Sequence, residues 1–158
     1  MRTVKILLGV VATAALVGCA REASGPLETQ IREVGTFTAI DTEGAVELKV
    51  TVGTAASVQV EAPADLLEEL KTEVRGETLY IKSKPKDWLF KKGRSRPKVT
   101  IATPTLASLR LHGGHEVEIH GFAGGESQIK AEGAVDIEAE GELDRLTIRL
   151  AGASNGDF

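Results

Sequence analysis

The chain has 158 residues, a formal net charge of −4, 17 glycines and few aromatic residues (four Phe, one Trp and one Tyr). This length is enough for one domain with a real hydrophobic core, and no second domain is needed. Many glycines and short alternations of Val, Ile and Leu are typical of an all-β protein. Cys19 is the only cysteine, so a disulfide within the chain cannot stabilise the fold.

The N-terminal segment has a short basic start, an apolar run and a single cysteine. Arg2 and Lys5 are followed by mostly apolar residues from Ile6 to Val17, and Gly18 provides a small residue before Cys19. The apolar run is shorter than the ~20 residues that a membrane-spanning helix needs. This segment resembles a bacterial lipoprotein signal, which implies that residues 1–18 are removed and that Cys19 is lipidated as the first residue of the mature protein. An ordinary cleaved signal or an uncleaved anchor is the alternative.

The next residues predict a short flexible tether. Ser24, Gly25 and Pro26 have no apolar period, so residues 19–31 are interpreted as lipidated cysteine and tether, and residues 32–158 as the folded domain. Ala20 stands where, in enterobacterial lipoproteins, an aspartate would retain the protein at the inner membrane. We therefore expect a lipid anchor in the cell envelope, at the outer rather than the inner membrane.

The first half of the domain predicts strands and one helix. Alternating apolar residues from Val46 to Val52 predict a strand, and Val58 with Val60 predicts its partner in a hairpin. Helical spacing from Leu66 to Val74 predicts a helix, with Asp65 as its N-cap and Glu68 completing a capping box. Strands are expected again at Leu79–Ile81 and Val99–Ile101.

The second half of the domain repeats itself about every 20 residues. In the first arm of the repeat, Leu109, Leu111 and Gly113 correspond to Ile129, Ala131 and Gly133, and then to Ile148, Leu150 and Gly152. In the second arm, Val117 and Ile119 are aligned with Val135 and Ile137. Such units bury their apolar faces only by stacking on each other, which predicts a parallel β-solenoid. The alternative is an antiparallel β-sandwich.

At this point the chain resembles a known family. The motifs Phe37–Asp41, Val46–Gly53, Leu66–Val74 and Gly76–Ile81, and then the segment Val99–Leu109, are similar in order to the auto-transporter adhesin head domain, or GIN domain. Its Leu-x-Leu-x-Gly-Ala-Gly repeats are echoed by residues 150–153. The resemblance implies a right-handed, parallel β-helix-like stack with one short flanking helix, and an adhesin-like role.

A basic segment is the strongest candidate binding site. Eight basic residues and one aspartate lie between Lys82 and Lys98, around Trp88-Leu89-Phe90. Cations beside aromatic rings suit an anionic lipid or polysaccharide, whereas nucleic acid is not expected in the envelope. The alternative is a hairpin loop whose apolar residues fold back on the core. The candidate residues are Lys86, Trp88, Phe90, Lys91, Lys92, Arg94 and Arg96.

The sequence gives little support for a metal site or for catalysis. His112, His115 and His120 are the only histidines and could form a surface zinc site, but a turn offers no closed set of four ligands. Ser108 lies near His112 without a clear orienting acid, so no enzyme and no cofactor are expected. The sequence thus predicts a lipid-anchored binding protein. The alternative is an accessory or sensor lipoprotein that binds an assembly partner, or a second copy, through an open β-edge.

Overall fold

The computed structural model describes residues 26–83 and 96–158. These residues form ten strands in one sheet and one short helix, which confirms the predicted all-β class with a single helix. In chain order the elements are β1 Leu27–Arg32, β2 Ala39–Gly44, β3 Glu47–Val52, β4 Ser57–Pro63, α1 Ala64–Glu69, β5 Lys71–Arg75, β6 Thr78–Lys82, β7 Lys98–Thr103, β8 Ser108–Ala123, β9 Glu126–Glu142 and β10 Arg145–Asp157.

The three long strands β8, β9 and β10 lie parallel and in register. Leu109 pairs with Ile129 and Ile129 with Ile148, which confirms the predicted repeat in its first arm. In the second arm the alignment was wrong by two residues, since Val117 pairs with Ile137. The 20-residue offset continues unbroken to His120, and the irregularity comes only after it.

Strand β8 joins two halves of the sheet. Its first part pairs with β2 and its second part with β3, both in parallel. We call β5, β6, β2 and the first parts of β8, β9 and β10 the β2 half-sheet. The remaining strands, β1, β4, β7 and β3 with the second parts of β8, β9 and β10, are the β3 half-sheet.

The core lies on the inner side of both half-sheets. Along β8, Leu109 and Leu111 of the β2 half-sheet and Val117 and Ile119 of the β3 half-sheet are fully buried in one hydrophobic cluster. Intervening residues point outward because successive side chains of a strand alternate between its two faces. Each half-sheet therefore offers an outer face on which every second residue of each strand is displayed.

The predicted hairpin of β3 and β4 was wrong. These two strands are not neighbours, because β7 inserts between them and pairs with both.

The predicted extent and cap of the helix were also wrong. The helix ends at Glu69, and Leu70 takes an extended conformation. Pro63 rather than Asp65 occupies the N-cap position. Val74 lies instead on β5, which pairs antiparallel with β6. Its spacing from Leu70 fits a helix by coincidence, and pairing with β6 decides the conformation.

The folded region begins earlier than predicted. Residues 27–31 were assigned to the tether, but Leu27–Arg32 forms β1 and pairs antiparallel with β4. Within residues 26–83 and 96–158, no helix is long and apolar enough to cross a membrane.

The glycine corner of β8 generates a stability prediction. Gly113 has φ of 126°, and a Cβ there would collide with the carbonyl oxygen of Gly44 on the adjacent strand. We expect Gly113→Ala to lower the free energy of unfolding by about 1–3 kcal/mol or more, since both the backbone angle and the contact become strained. Urea denaturation measures this. Gly35→Ala is the control, because a Cβ at Gly35 would meet no atom within 4 Å. Equal stability of the two variants would contradict the role of the corner.

Candidate binding surface

Most of the predicted basic site falls outside the described residues. Lys86, Trp88, Phe90, Lys91, Lys92 and Arg94 lie there, as does the lipidation candidate Cys19. Arg96 is described and exposed, directly before the buried Pro97. At the other end of the segment, the Ser83 amide donates a hydrogen bond of 2.9 Å to the Glu43 carbonyl. The basic segment therefore starts beside the corner that connects β2 to β3.

A column of cations runs across the outer face of the β2 half-sheet. Arg110, Lys130 and Arg149 occupy the same register position on β8, β9 and β10. Adjacent strands are about 4.8 Å apart, so the three side chains emerge at that spacing. Lys130 pairs with Glu132 at 2.6 Å, and Arg110 approaches Asp41 at 3.9 Å. Arg149 forms no salt bridge within the described ranges. We call these three residues the cation column.

The β3 half-sheet carries the opposite charge at the same end. Its outer face has an open cleft of about 510 Å³, which we call the acidic cleft. The cleft is lined by carboxylates of β8, β9 and β10, namely Glu116, Glu118, Asp136, Glu138 and Asp157. Lys49 donates to Glu118 at 3.1 Å, and this hydrogen bond and the charge of Lys49 lower the pKa of that carboxyl. The two outer faces of the strand stack are thus electrostatically opposed.

The three histidines do not converge. His112 lies 3.3 Å from Glu132 and His120 lies 3.2 Å from Glu140, both as exposed pairs between adjacent strands. His115 points the other way and is only 1% exposed. In the part of the chain that the structure describes, no group of three His, Cys, Asp or Glu residues could hold a metal ion.

Ser108 and His112 are also held apart. They lie four positions from each other on β8, which corresponds to roughly 13 Å between their Cα atoms. A serine nucleophile must be within hydrogen-bond reach of its base. This pair therefore cannot act as a catalytic dyad.

The cation column was not predicted, although its three residues occupy equivalent positions of the sequence repeat. The repeat Leu-x-Leu at 109–111, Ile-x-Ala at 129–131 and Ile-x-Leu at 148–150 has Arg110, Lys130 and Arg149 at its middle position. Aligning the outward positions, and not only the apolar ones, would have placed these cations side by side.

Comparison with known proteins agrees with the architecture. Residues 36–157 match the family described as "Putative auto-transporter adhesin, head GIN domain". The chain belongs to the GIN-domain family. No curated protein matches the sequence of this GIN domain.

Solved structures share the fold of this GIN domain at low sequence identity. A putative adhesin from Parabacteroides distasonis superposes with a TM-score of 0.72 at 19% identity, over 85% of this chain and 57% of that one. This chain thus spans little more than half of that relative. A putative cell adhesion protein from Clostridium sporogenes gives a TM-score of 0.51 at 9% identity, over 83% of this chain and 96% of that one.

Burial of His115 generates a pH prediction. Burial lowers the pKa of His115, and the positive charge of Arg96 acts in the same direction. As the pH falls below about 6.5, the usual histidine pKa, the unfolded chain binds a proton that folded His115 does not. The free energy of unfolding should therefore decrease by up to about 1.4 kcal/mol per pH unit until the pH reaches the lower folded pKa.

Urea denaturation between pH 7.5 and 5.5 measures this loss. His115→Leu should remove the His115 contribution to the pH dependence. The exposed-histidine variant His112→Gln should keep it. A His115→Leu protein with the same pH dependence as the wild type would contradict the assignment.

Proposed function

We propose that this protein is a non-enzymatic, lipid-anchored protein of the bacterial cell envelope, whose GIN domain contacts an anionic surface. The signal-like segment that ends at Cys19 supports the anchor, because two or three acyl chains hold a protein durably at a membrane whereas one does so only marginally. Ala20 supports the outer membrane as the destination. The description of the family as an adhesin supports a surface role based on binding.

The cation column is the observation that carries the proposed surface contact. Arg110, Lys130 and Arg149 present three positive charges in a row, and the acidic cleft lies on the other half-sheet. An anionic surface attracts the first face and repels the second within a screening length of about 10 Å. This polarity orients the domain. The basic segment with Trp88 and Phe90 then adds cations and aromatic rings to the same interaction.

We further infer that the stacked strands form a right-handed solenoid. Parallel pairing of β8, β9 and β10 along whole strand–corner–strand units supports this arrangement. The strong preference of parallel strand connections for the right-handed crossover supports the handedness.

Membrane association tests the proposed function in two stages. We expect Cys19→Ser to move the protein from the membrane fraction to the soluble fraction, because the lipid is lost.

The Cys19→Ser protein should still bind vesicles that contain anionic lipid. Lys130→Gln/Arg149→Gln should weaken that binding about tenfold or more, since each cation near an anionic membrane contributes about 1 kcal/mol. Replacing Lys91, Lys92, Arg94 and Arg96 with serine should weaken it as well. Cell fractionation measures the first stage, and vesicle flotation measures the second.

Lys49→Gln, compared with the single variant Arg149→Gln, is the matched control. It removes the same charge from the β3 half-sheet, where Lys49 pairs with Glu118. If both single variants weaken vesicle binding equally, net charge and not the cation column is responsible. A Cys19→Ser protein that stays in the membrane fraction would contradict lipid anchoring.

The edge of β10 favours a second candidate function, recruitment of a protein partner or a second copy. Among residues 26–83 and 96–158, strand β10 pairs only with β9, and Leu150 and Phe158 are 40% and 48% exposed. An unpaired edge presents backbone donors and acceptors to another strand. We expect the Cys19→Ser protein to dimerise, and Thr147→Lys/Ala151→Lys to suppress dimerisation through charge at the edge. Sedimentation velocity measures this, and a strictly monomeric protein would count against the candidate.

A further inference from the structure

A cavity of about 410 Å³ lies on the outer face of the β2 half-sheet, at the opposite end of the stack from β10. This volume falls within the range of about 300–1,000 Å³ that is usual for small-molecule sites. We call it the Tyr80 cavity. Its walls come from three strands and include Lys71, Glu73, Arg75, Tyr80, Lys82 and Glu43.

Among the described residues, the charges of the Tyr80 cavity leave one cation in excess. Glu73 accepts a hydrogen bond of 2.8 Å from Arg75, and Glu43 lies 3.0 Å from Lys82. Lys71 forms no salt bridge with any residue in 26–83 or 96–158. It lies directly opposite Lys82 in the β5–β6 ladder, where like charges repel. A ligand with one carboxylate would relieve this repulsion and balance the site.

Tyr80 is held in a fixed place within this wall. It lies on β6, which pairs with β5 on one side and β2 on the other, and it is half-buried. The Arg75 guanidinium lies 5.8 Å from the centre of the Tyr80 ring. The hydrogen bond from Arg75 lowers the pKa of Glu73, so this carboxylate stays ionised as an acceptor. Strand pairing therefore fixes the backbone of Tyr80, and Arg75 connects the Glu73 carboxylate to the ring.

We propose that the Tyr80 cavity binds one acidic sugar residue of a polysaccharide, a pyranose that bears a single carboxylate. The apolar C–H face of the sugar packs on the face of the Tyr80 ring opposite Arg75, and its carboxylate pairs with the Lys71 ammonium. Sugar hydroxyls donate hydrogen bonds to the carboxylates of Glu73 and Glu43. This proposal rests on the proposed function, since it names the chemistry of the anionic surface.

A lipid headgroup fits the Tyr80 cavity less well. A phosphodiester group supplies acceptor oxygens but no hydrogen-bond donor, so Glu73 and Glu43 would depend on the headgroup substituent for a new donor. A hydroxyl-rich sugar supplies donors for both carboxylates. Two carboxylates in the wall also disfavour more than one negative charge on the sugar residue that enters the cavity.

Titration with trigalacturonate tests the proposal on the full chain held in nanodiscs of zwitterionic lipid. We expect saturable binding by calorimetry. The methyl ester of the same oligosaccharide should bind at least tenfold more weakly because it lacks the carboxylate charge. Lys71→Gln should weaken trigalacturonate binding tenfold or more, and Tyr80→Thr should abolish it. Lys49→Gln, an equal charge change on the β3 half-sheet, should leave the affinity unchanged.

The outcomes separate this site from the membrane contact. Lys130→Gln/Arg149→Gln should lose vesicle binding and keep trigalacturonate binding. Trigalacturonate binding without cation-dependent vesicle binding would overturn the membrane contact and support the Tyr80 cavity. Absence of saturable binding, or binding that Lys71→Gln leaves unchanged in a normally folded protein, would overturn the cavity proposal. So would Lys71-dependent binding to anionic vesicles alone, which would assign the cavity to a lipid headgroup.

Discussion

Close backbone contact at the glycine corners is the constraint on which the arrangement of this domain depends. A Cβ at Gly113 would collide with the Gly44 carbonyl oxygen, and a Cβ at Gly133 with that of Gly113. Glycine at these positions lets each strand turn directly above the previous one. The strands therefore remain in register on both sides of the corner, from the β2 half-sheet through to the β3 half-sheet.

In-register stacking converts a pattern along the chain into columns across the sheet. Since alternate residues point outward, one outward position per strand repeats at about 4.8 Å across the stack. This brings Arg110, Lys130 and Arg149 together on one half-sheet. On the other half-sheet the same rule assembles carboxylates that include Glu118 and Glu138. The opposition of the two faces is a consequence of register and needs no contact between distant loops.

The cation column and the Tyr80 cavity lie on the outer face of the same half-sheet, and the basic segment starts beside it. The cation column crosses the outer face of the β2 half-sheet, the Tyr80 cavity lies at its β5 end, and the basic segment starts beside the β2–β3 corner. If Cys19 is anchored in lipid, only residues 20–26 separate it from β1. Seven extended residues span roughly 25 Å at most, so β1 would lie within that distance of the anchor.

The sequence by itself determined the all-β class, the 20-residue repeat and the glycine corners, because these follow from local alternation and from the freedom of glycine to adopt positive φ. Only the tertiary structure decided that β7 separates β3 from β4 and that residues around Val74 form a strand, since both depend on partners distant in the chain. The same holds for the Tyr80 cavity, in which Lys71 and Glu43 meet only through the pairing of β5, β6 and β2. Local patterns specify which residues face outward, whereas strand order specifies which of them become neighbours.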